Sequence, residues 1–281
     1  MSEIDTIDSA EVNKALAHTR LGGYVIHLTT VESTNDLALE AARSGSRLGV
    51  WVADEQTAGR GRGNHAWHSA PGNGLYVSAL FTPKLPARHS AESAMSLSMV
   101  AGIAAWDAIR EVSGITTDIR WPNDIVTRSA TQARKLGGIL AETAIAPAKP
   151  GRRAMLRYAV IGIGINVGHD QFPPEIAASA TSLRMEGWRE AQRQPLLITL
   201  LDKLDLFIRY TEDGYAGTRN GSDLPIRYSE ASTWVRGKRV RVAEAGGYTG
   251  VTDGIDPHGF LQVTDDDGVR HTVLSGGVRE A

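Results

Sequence analysis

Residues 54–67 read Asp54-Glu55-Gln56-Thr57-Ala58-Gly59-Arg60-Gly61-Arg62-Gly63-Asn64-His65-Ala66-Trp67. Strand candidates flank them at 49–53 and 75–81. Alternating glycines let a backbone approach a ligand and present its N–H groups, and two arginines two residues apart supply permanently charged forks for a carboxylate or phosphate. The segment is not a Walker loop, since Gly-Lys-Ser/Thr is missing, nor a Rossmann fingerprint, since Asn64 stands where G-x-G-x-x-G needs glycine. By composition alone it is equally a flexible surface loop, and Trp67 equally a packing residue.

Upstream, residues 24–28 read as a strand, and Ser33-Thr34-Asn35-Asp36 has capping-box spacing for a helix that Gly45 closes. Residues 1–20 form a polar leader. Downstream, Leu97, Val100, Ala101, Ala104 and Ala108 recur at helical spacing within 90–112, giving a long helix with a small-residue face. Strands are expected at 136–145 and 156–167, joined by a loop at 146–151, and a second long helix starts at Pro195. An irregular stretch from 214 to 232 leads into four short strands separated by turn residues, so 233–281 reads as a small β-barrel, with the boundary near 232. The larger part, 21–232, mixes helices and strands without regular βαβ alternation and is classed α+β.

Composition removes several functions. The chain has 281 residues, 30 Lys+Arg against 32 Asp+Glu, a net charge of −2 and no cysteine. That argues against a general nucleic-acid-binding face, a thiolate nucleophile and Cys-ligated metal. No apolar run approaches the ~18 residues of a membrane span, and the amino terminus lacks the apolar stretch of a signal peptide, so a cytoplasmic location is expected.

Three further segments can carry chemistry. Arg120-Trp121-Pro122-Asn123-Asp124 sets an amide beside a carboxylate, oxygen groups of the kind Mg²⁺ prefers through water, or forms an ordinary turn. Arg134-Lys135-Leu136-Gly137-Gly138 puts a lysine at the mouth of an apolar strand, reaching a charged ligand or lying in solvent. In Val160-Ile161-Gly162-Ile163-Gly164-Ile165-Asn166-Val167 two glycines share one strand face, which implies something lying close against it, a ligand or a neighbouring helix.

Taken in order, Ser33-Thr34-Asn35, the Gly-Arg-Gly-Arg loop with Trp67, Trp121-Pro-Asn-Asp, Arg-Lys-Leu-Gly-Gly-Ile-Leu and Gly-Ile-Gly-Ile-Asn-Val closely resemble the biotin protein ligase family over roughly residues 22–170, with a small C-terminal β-domain agreeing in size and place with that family's SH3-like barrel. The resemblance implies a mixed seven-stranded sheet with helices on one side. It also implies formation of biotinyl-5′-AMP from biotin and MgATP, then transfer of biotin to a lysine of a biotin carboxyl carrier domain of an acyl-CoA carboxylase.

On the matched positions, the resemblance assigns Ser33, Thr34, Asn35 and Gln56 to the ureido ring of biotin. Arg60, Gly61 and Arg62 go to the carboxylate and later the adenylate phosphate, Trp67 to closure over the ligand, and Lys135 with Gly138 to the carboxyl–phosphate junction. Arg60, Arg62 and Lys135 are the catalytic set. Arg120, Asn123, Asp124, Gly164 and Asn166 fall on the ATP side with Arg62 and Lys135, Gly162 lies under the nucleotide, and Asp124 faces Mg²⁺ through water. Three departures stand out: Arg120 where a lysine is common, the less basic 63–66, and a shortened ending at 275–279. A leader of about 20 residues is too short for a winged helix, so a monofunctional ligase is expected, without nucleic-acid or membrane partners, as a monomer or weak dimer. The loop around Arg60 and residues 128–134 are expected to be mobile without ligand. A lipoate or octanoate ligase or transferase on the same core is the alternative, and a binding module built on the barrel is another.

Overall fold

The computed structural model describes residues 6–87, 90–128, 133–147, 151, 153–215, 223–244, 246–274 and 276–281. The elements are α1 (Ser9–Ala15), β1 (Val25–Val31), α2 (Thr34–Arg43), β2 (Gly49–Gln56), β3 (Gly74–Phe81), α3 (Ser90–Ser113), β4 (Thr117–Arg120), β5 (Asp124–Thr127), β6 (Lys135–Ile145), β7 (Leu156–Asn166), α4 (Pro174–Ala177), α5 (Arg193–Tyr215), α6 (Asp223–Ala231), β8 (Arg236–Val242), β9 (Tyr248–Ile255), β10 (Leu261–Asp265), β11 (Arg270–Val273) and β12 (Val278–Glu280). Strands β1–β7 make one seven-stranded sheet in the order β1-β2-β3-β7-β6-β5-β4, and β8–β12 a separate five-stranded sheet. Only the β1–β2 pair of the first sheet is parallel, so that sheet is mixed and the α+β expectation holds.

Strand alternation divides the large sheet into two faces with different duties. Leu75, Val77, Ala79 and Phe81 of β3 and Ile161, Ile163 and Ile165 of β7 join the main core with Ala101, Ala104, Ala105 and Ala108 of α3 and Leu197, Leu200 and Leu204 of α5. The alanines bring α3 close to the sheet. On the opposite face, Leu80 and Val160 pack against Ala38, Leu39 and Ala42 of α2. Helices therefore lie on both faces, not one: α2 is short and covers only part of its side. The uncovered remainder of that side is where β3, β7 and β6 present Ser78, Gly162, Gly164, Gly138 and Glu142.

Several short elements escaped the sequence reading. The leader contains α1, capped by the Asp8 carboxylate, which accepts from Ala10 N at 2.8 Å, and anchored by buried Val12 and Leu16. A seven-residue helix shows only one i, i+4 apolar pair, too little for a periodicity to register. The stretch read as irregular holds α6, whose Tyr228 is fully buried; Pro225 in its first turn and the turn-forming residues before it masked the helix. The strands β4 and β5, four residues each, flank Trp121-Pro122-Asn123 as a hairpin and are too short to show alternation.

The second sheet gains β12, which pairs antiparallel with β8. It is fastened to the first by polar bonds around the β4–β5 turn. Trp121 Nε1–H donates to Gly259 O at 2.9 Å, and the Asp118 carboxylate accepts from Thr233 N at 2.9 Å. Among the described residues no helix is long and apolar enough to cross a membrane.

Candidate active site

The N-terminus of α2, the end of β2, the loop after it and the glycine-bearing face of β3, β7 and β6 enclose a cavity walled by Ser33, Thr34, Asn35, Gln56, Arg60, Gly61, Arg62, Trp67, Ser78, Asn123, Lys135, Gly138, Gly162 and Gly164. Ser33 is the N-cap of α2, its hydroxyl accepting from Asp36 N, so the capping-box spacing placed Thr34 and Asn35 on the first helical turn. All three are at least 96% buried.

One end of the cavity is a continuous hydrogen-bonded chain. Asn35 Nδ2–H donates to Glu142 Oε2 at 2.5 Å and Ser78 Oγ–H donates to Asn35 Oδ1 at 2.9 Å. With the Ser78 proton so engaged, Thr34 Oγ1–H donates to Ser78 Oγ at 2.8 Å, with Gln56 Oε1 at 3.1 Å as a second acceptor. Gln56 Oε1 also accepts from Thr34 N at 2.9 Å, and its Nε2–H donates to Ser69 Oγ at 3.0 Å. Each amide orientation is fixed by a partner that only donates or only accepts.

The other end is charged. Arg60 pairs with Asp36 and, through Nη2 at 3.0 Å, with Glu142; burial works to lower its pKa, but the two carboxylates outweigh that and raise it. Among the described residues Arg62 has no such ion pair, and burial pushes its pKa down against the weaker pull of Glu244 and Asp124. Lys135 Nζ lies 2.6 Å from Asp124 Oδ1 and 5.3 Å from the centroid of the Trp67 ring. Arg120 grips Asp124 Oδ2 through Nε at 3.2 Å and Nη2 at 2.5 Å. Burial alone would raise the Asp124 pKa, but Lys135 and Arg120 together hold the carboxyl below its ordinary value.

The glycine pair on β7 is also explained. A Cβ on Gly164 would lie 2.6 Å from Trp67 Nε1, one on Gly138 3.0 Å from the same indole, and one on Gly162 would collide with Asn35 Oδ1. Register puts Ser78 beside Gly162, and Tyr76 and Gly138 beside Gly164. The close neighbour at Gly162 is thus a helix, through Asn35 on the first turn of α2, and at Gly164 and Gly138 it is the Trp67 indole. The Trp67 indole N–H is buried there without a hydrogen-bond partner.

The structure brings Ser33, Thr34, Asn35, Gln56, Arg60, Gly61, Arg62, Trp67, Asn123, Lys135, Gly138, Gly162 and Gly164 together on the wall. It sets Arg120, Asp124 and Asn166 behind it. Asn166 is buried and donates from Nδ2 to Thr181 O at 2.9 Å, bracing the end of β7. Of residues 128–134, those from 129 to 132 lie outside the described residues. Sequence reasoning missed Ser78, a serine in a buried, largely apolar strand, and Glu142, a carboxylate two residues beyond a wall residue on the same strand face. Among the described residues no group of three or more His, Cys, Asp or Glu forms a metal cage.

Two family models match the chain: the Biotin/lipoate A/B protein ligase family over residues 27–166 and the Biotin protein ligase C terminal domain over 236–278. The bifunctional ligase/repressor BirA of Bacillus spizizenii is 31% identical over 270 residues, covering 94% of this chain and 76% of that protein. The biotin–[acetyl-CoA-carboxylase] ligase of Mycobacterium tuberculosis is 31% identical over 253 residues, covering 87% and 84%. Among solved structures, the biotin protein ligase from Aquifex aeolicus in complex with biotin and ATP superposes with a TM-score of 0.69 at 24% identity over 92% of this chain and all of that one, a likeness of fold. With both domain models matched in order and relatives aligned along nearly its whole length, the chain belongs to the biotin/lipoate A/B protein ligase family.

Proposed function

We propose that this chain activates biotin with MgATP and passes it to a lysine of the carrier domain of an acyl-CoA carboxylase. The observation that carries the reading is the polarity of the cavity: neutral, mutually satisfied hydrogen-bonding groups at one end, and Arg60, Arg62 and Lys135 at the other. A bicyclic urea with an acid-bearing tail has that distribution. A bare acyl chain offers no hydrogen bonds to the remaining donor and acceptor capacity of Thr34, Asn35, Ser78 and Gln56, so a polar end of this kind is wasted on it.

In the first step a biotin carboxylate oxygen attacks the α-phosphorus of ATP, the bond to pyrophosphate breaks, and biotinyl-5′-AMP forms. Negative charge grows on the α-phosphate oxygens, and the cavity meets it with fixed donors on Lys135 and Arg62, which costs little reorganisation at the moment of reaction. Asp124 holds Lys135 in place beforehand. In the second step the lysine amine of the carrier attacks the acyl carbon, AMP leaves and the amine gives up its proton. Trp67, lying over the glycines, keeps water from the mixed anhydride.

The residues do not fit direct protein ligation of Mg²⁺: both Asp124 oxygens are taken by Lys135 and Arg120. The ion comes with the nucleotide phosphates and its own waters, as it commonly does, and screens their charge. ATP–pyrophosphate exchange, run with biotin, lipoate, octanoate and no acid, tests the reading. Exchange dependent on biotin is expected. Exchange with lipoate or octanoate instead would move the chain to the other branch of its family.

A further inference from the structure

We infer that Glu142 is a positioning residue that sets the donor and acceptor polarity of Asn35, Ser78 and Thr34 at the ring-binding end and ties that end to the Arg60 loop; the inference rests on the biotin reading of this cavity. Glu142 lies on β6, on the same strand face as Gly138 of the cavity wall, and is not itself among the residues that line the cavity. Its two oxygens do different jobs. Oε2 accepts from Asn35 Nδ2 at 2.5 Å and Oε1 accepts from Arg60 Nη2 at 3.0 Å.

An asparagine amide can present either end, and a flip exchanges a donor for an acceptor in front of the ligand. A carboxylate opposite Asn35 allows one answer: nitrogen toward Glu142, oxygen toward Ser78. From there the directions propagate. Ser78 must donate to Asn35, and Thr34 must then donate toward Ser78 or Gln56. Gln56 is oriented separately, by the Thr34 backbone N–H, which turns its oxygen to Thr34 and its nitrogen to Ser69, and Ser69 Oγ–H donates to Trp67 O at 3.2 Å. The carboxylate is the one side chain of this network that accepts only, so it fixes the directions at Asn35, Ser78 and Thr34. Gly162 is required in the same design, since any side chain there would collide with Asn35 Oδ1 and force the amide to turn.

Glutamine at 142 tests the polarity and not the volume. Both partners of Glu142 are donors, and an amide has one oxygen, so Glu142→Gln must turn an N–H₂ toward either Asn35 or Arg60. The variants Glu142→Gln, Asn35→Ala and their combination are compared with wild type by calorimetric titration with biotin, with biotin methyl ester and, separately, with ATP, alongside thermal melting. Glu142→Gln is expected to weaken biotin about tenfold and the methyl ester by the same factor, with ATP affinity within about twofold. Because Glu142 acts through Asn35, the double variant should bind biotin no worse than Asn35→Ala alone, the non-additivity that coupled neighbours show. Glu142→Asp, which keeps two acceptor oxygens, should recover part of the loss.

Additive losses in the double variant, equal weakening of biotin and ATP in step with a lowered melting temperature, or unchanged biotin affinity would each overturn the inference. A much larger loss for biotin than for its ester would place the effect on Arg60 alone and overturn it too. If Glu142→Gln does not fold, Ser78→Ala interrupts the same chain and must show the same non-additivity with Asn35→Ala. Wild-type protein that fails to bind biotin at all would sink the function itself, an outcome separate from any of these.

Discussion

The two ends of the cavity are built on opposite principles. At the ring end every polar side chain of the Glu142–Asn35–Ser78–Thr34–Gln56 chain already has a neutral or charged partner in fixed direction, so a ligand adds bonds to a network that stands without it. At the charged end the cations are held by the protein's own carboxylates, Arg60 by Asp36 and Glu142 and Lys135 by Asp124. A ligand anion there must compete with carboxylates already in place. The first arrangement suits discrimination, because donors and acceptors held in fixed directions add bonds only to a ring that carries the complementary groups. The second suits chemistry, because Asp124 holds Lys135 in place beforehand as a fixed donor for the charge that develops.

The sharpest way to break the comparison is at Lys135. Lys135→Ala is expected to lower the rate of biotin-dependent pyrophosphate exchange by ~10²- to 10³-fold, the usual loss for one preorganised donor, while calorimetric biotin affinity changes little. A matching fall in biotin affinity would show that Lys135 belongs to ground-state binding and that the two ends are not separable.

The lid of the charged end has its own pH dependence. His68, next to Trp67, packs against buried His169 at 5.7 Å between ring centroids, and Phe172 stacks on His169 at 4.7 Å. Burial first, and then the neighbouring His68, push the His169 pKa from 6.5 down to about 4. Between those values the unfolded chain binds a proton that the folded chain refuses, so stability falls as pH drops from 6.5 toward 4, by up to ~3 kcal/mol. His169→Phe should flatten that slope in urea unfolding measured across the window. An equally steep slope in the variant would assign the acid sensitivity to other groups.

At the ring end the effect is smaller and of another kind. Ser78→Ala removes the donor to Asn35 Oδ1, and leaving that oxygen unpaired should weaken biotin about tenfold, within the 1–3 kcal/mol usual for such a loss. Turnover at saturating biotin should stay near wild type. A fall in kcat at unchanged KM would mean that the ring end takes part in the chemical step.

What could be read from sequence follows the same division. The helix start at Ser33 was legible because capping chemistry acts locally, but Thr34, Asn35, Arg60, Arg62 and Lys135 were legible as site residues only through the order of motifs that carries the resemblance, since each segment alone reads equally as a cap, a surface loop or a solvated lysine. Ser78 and Glu142 were not, because a hydroxyl or carboxylate on a strand acquires meaning only from the side chain brought opposite it, and Asn35 comes from a distant segment. The glycines at 162 and 164 announced a close approach without naming who approaches: one answer is Asn35 and the other Trp67. The sheet core was legible in its long apolar strands and the small-residue face of α3, whereas α1, β4, β5 and β12 are too short for a period to repeat.

The least disruptive change addresses how the charged end is braced from outside. Arg120 stands where the family commonly has lysine, and here its guanidinium grips Asp124 Oδ2 with two nitrogens and lies 5.6 Å from the centroid of the Trp234 ring, at the joint with the second sheet. A guanidinium can do both at once because its donors lie in the plane of the fork while its face is free to stack; an ammonium is a point charge and must choose. Arg120→Lys keeps the charge beside Asp124, so Lys135 stays paired and the fold stays intact. Only the second donor and the contact with Trp234 are lost, worth about 1 kcal/mol in total. Exchange should slow by no more than about fivefold, and the part of the loss owed to the ring contact should vanish when Trp234 is replaced as well, measured as a double-mutant cycle on exchange rate. A tenfold or larger fall would mean that the second sheet controls the placement of Lys135 through Asp124, and the charged end would then have to be counted as a site shared by both domains.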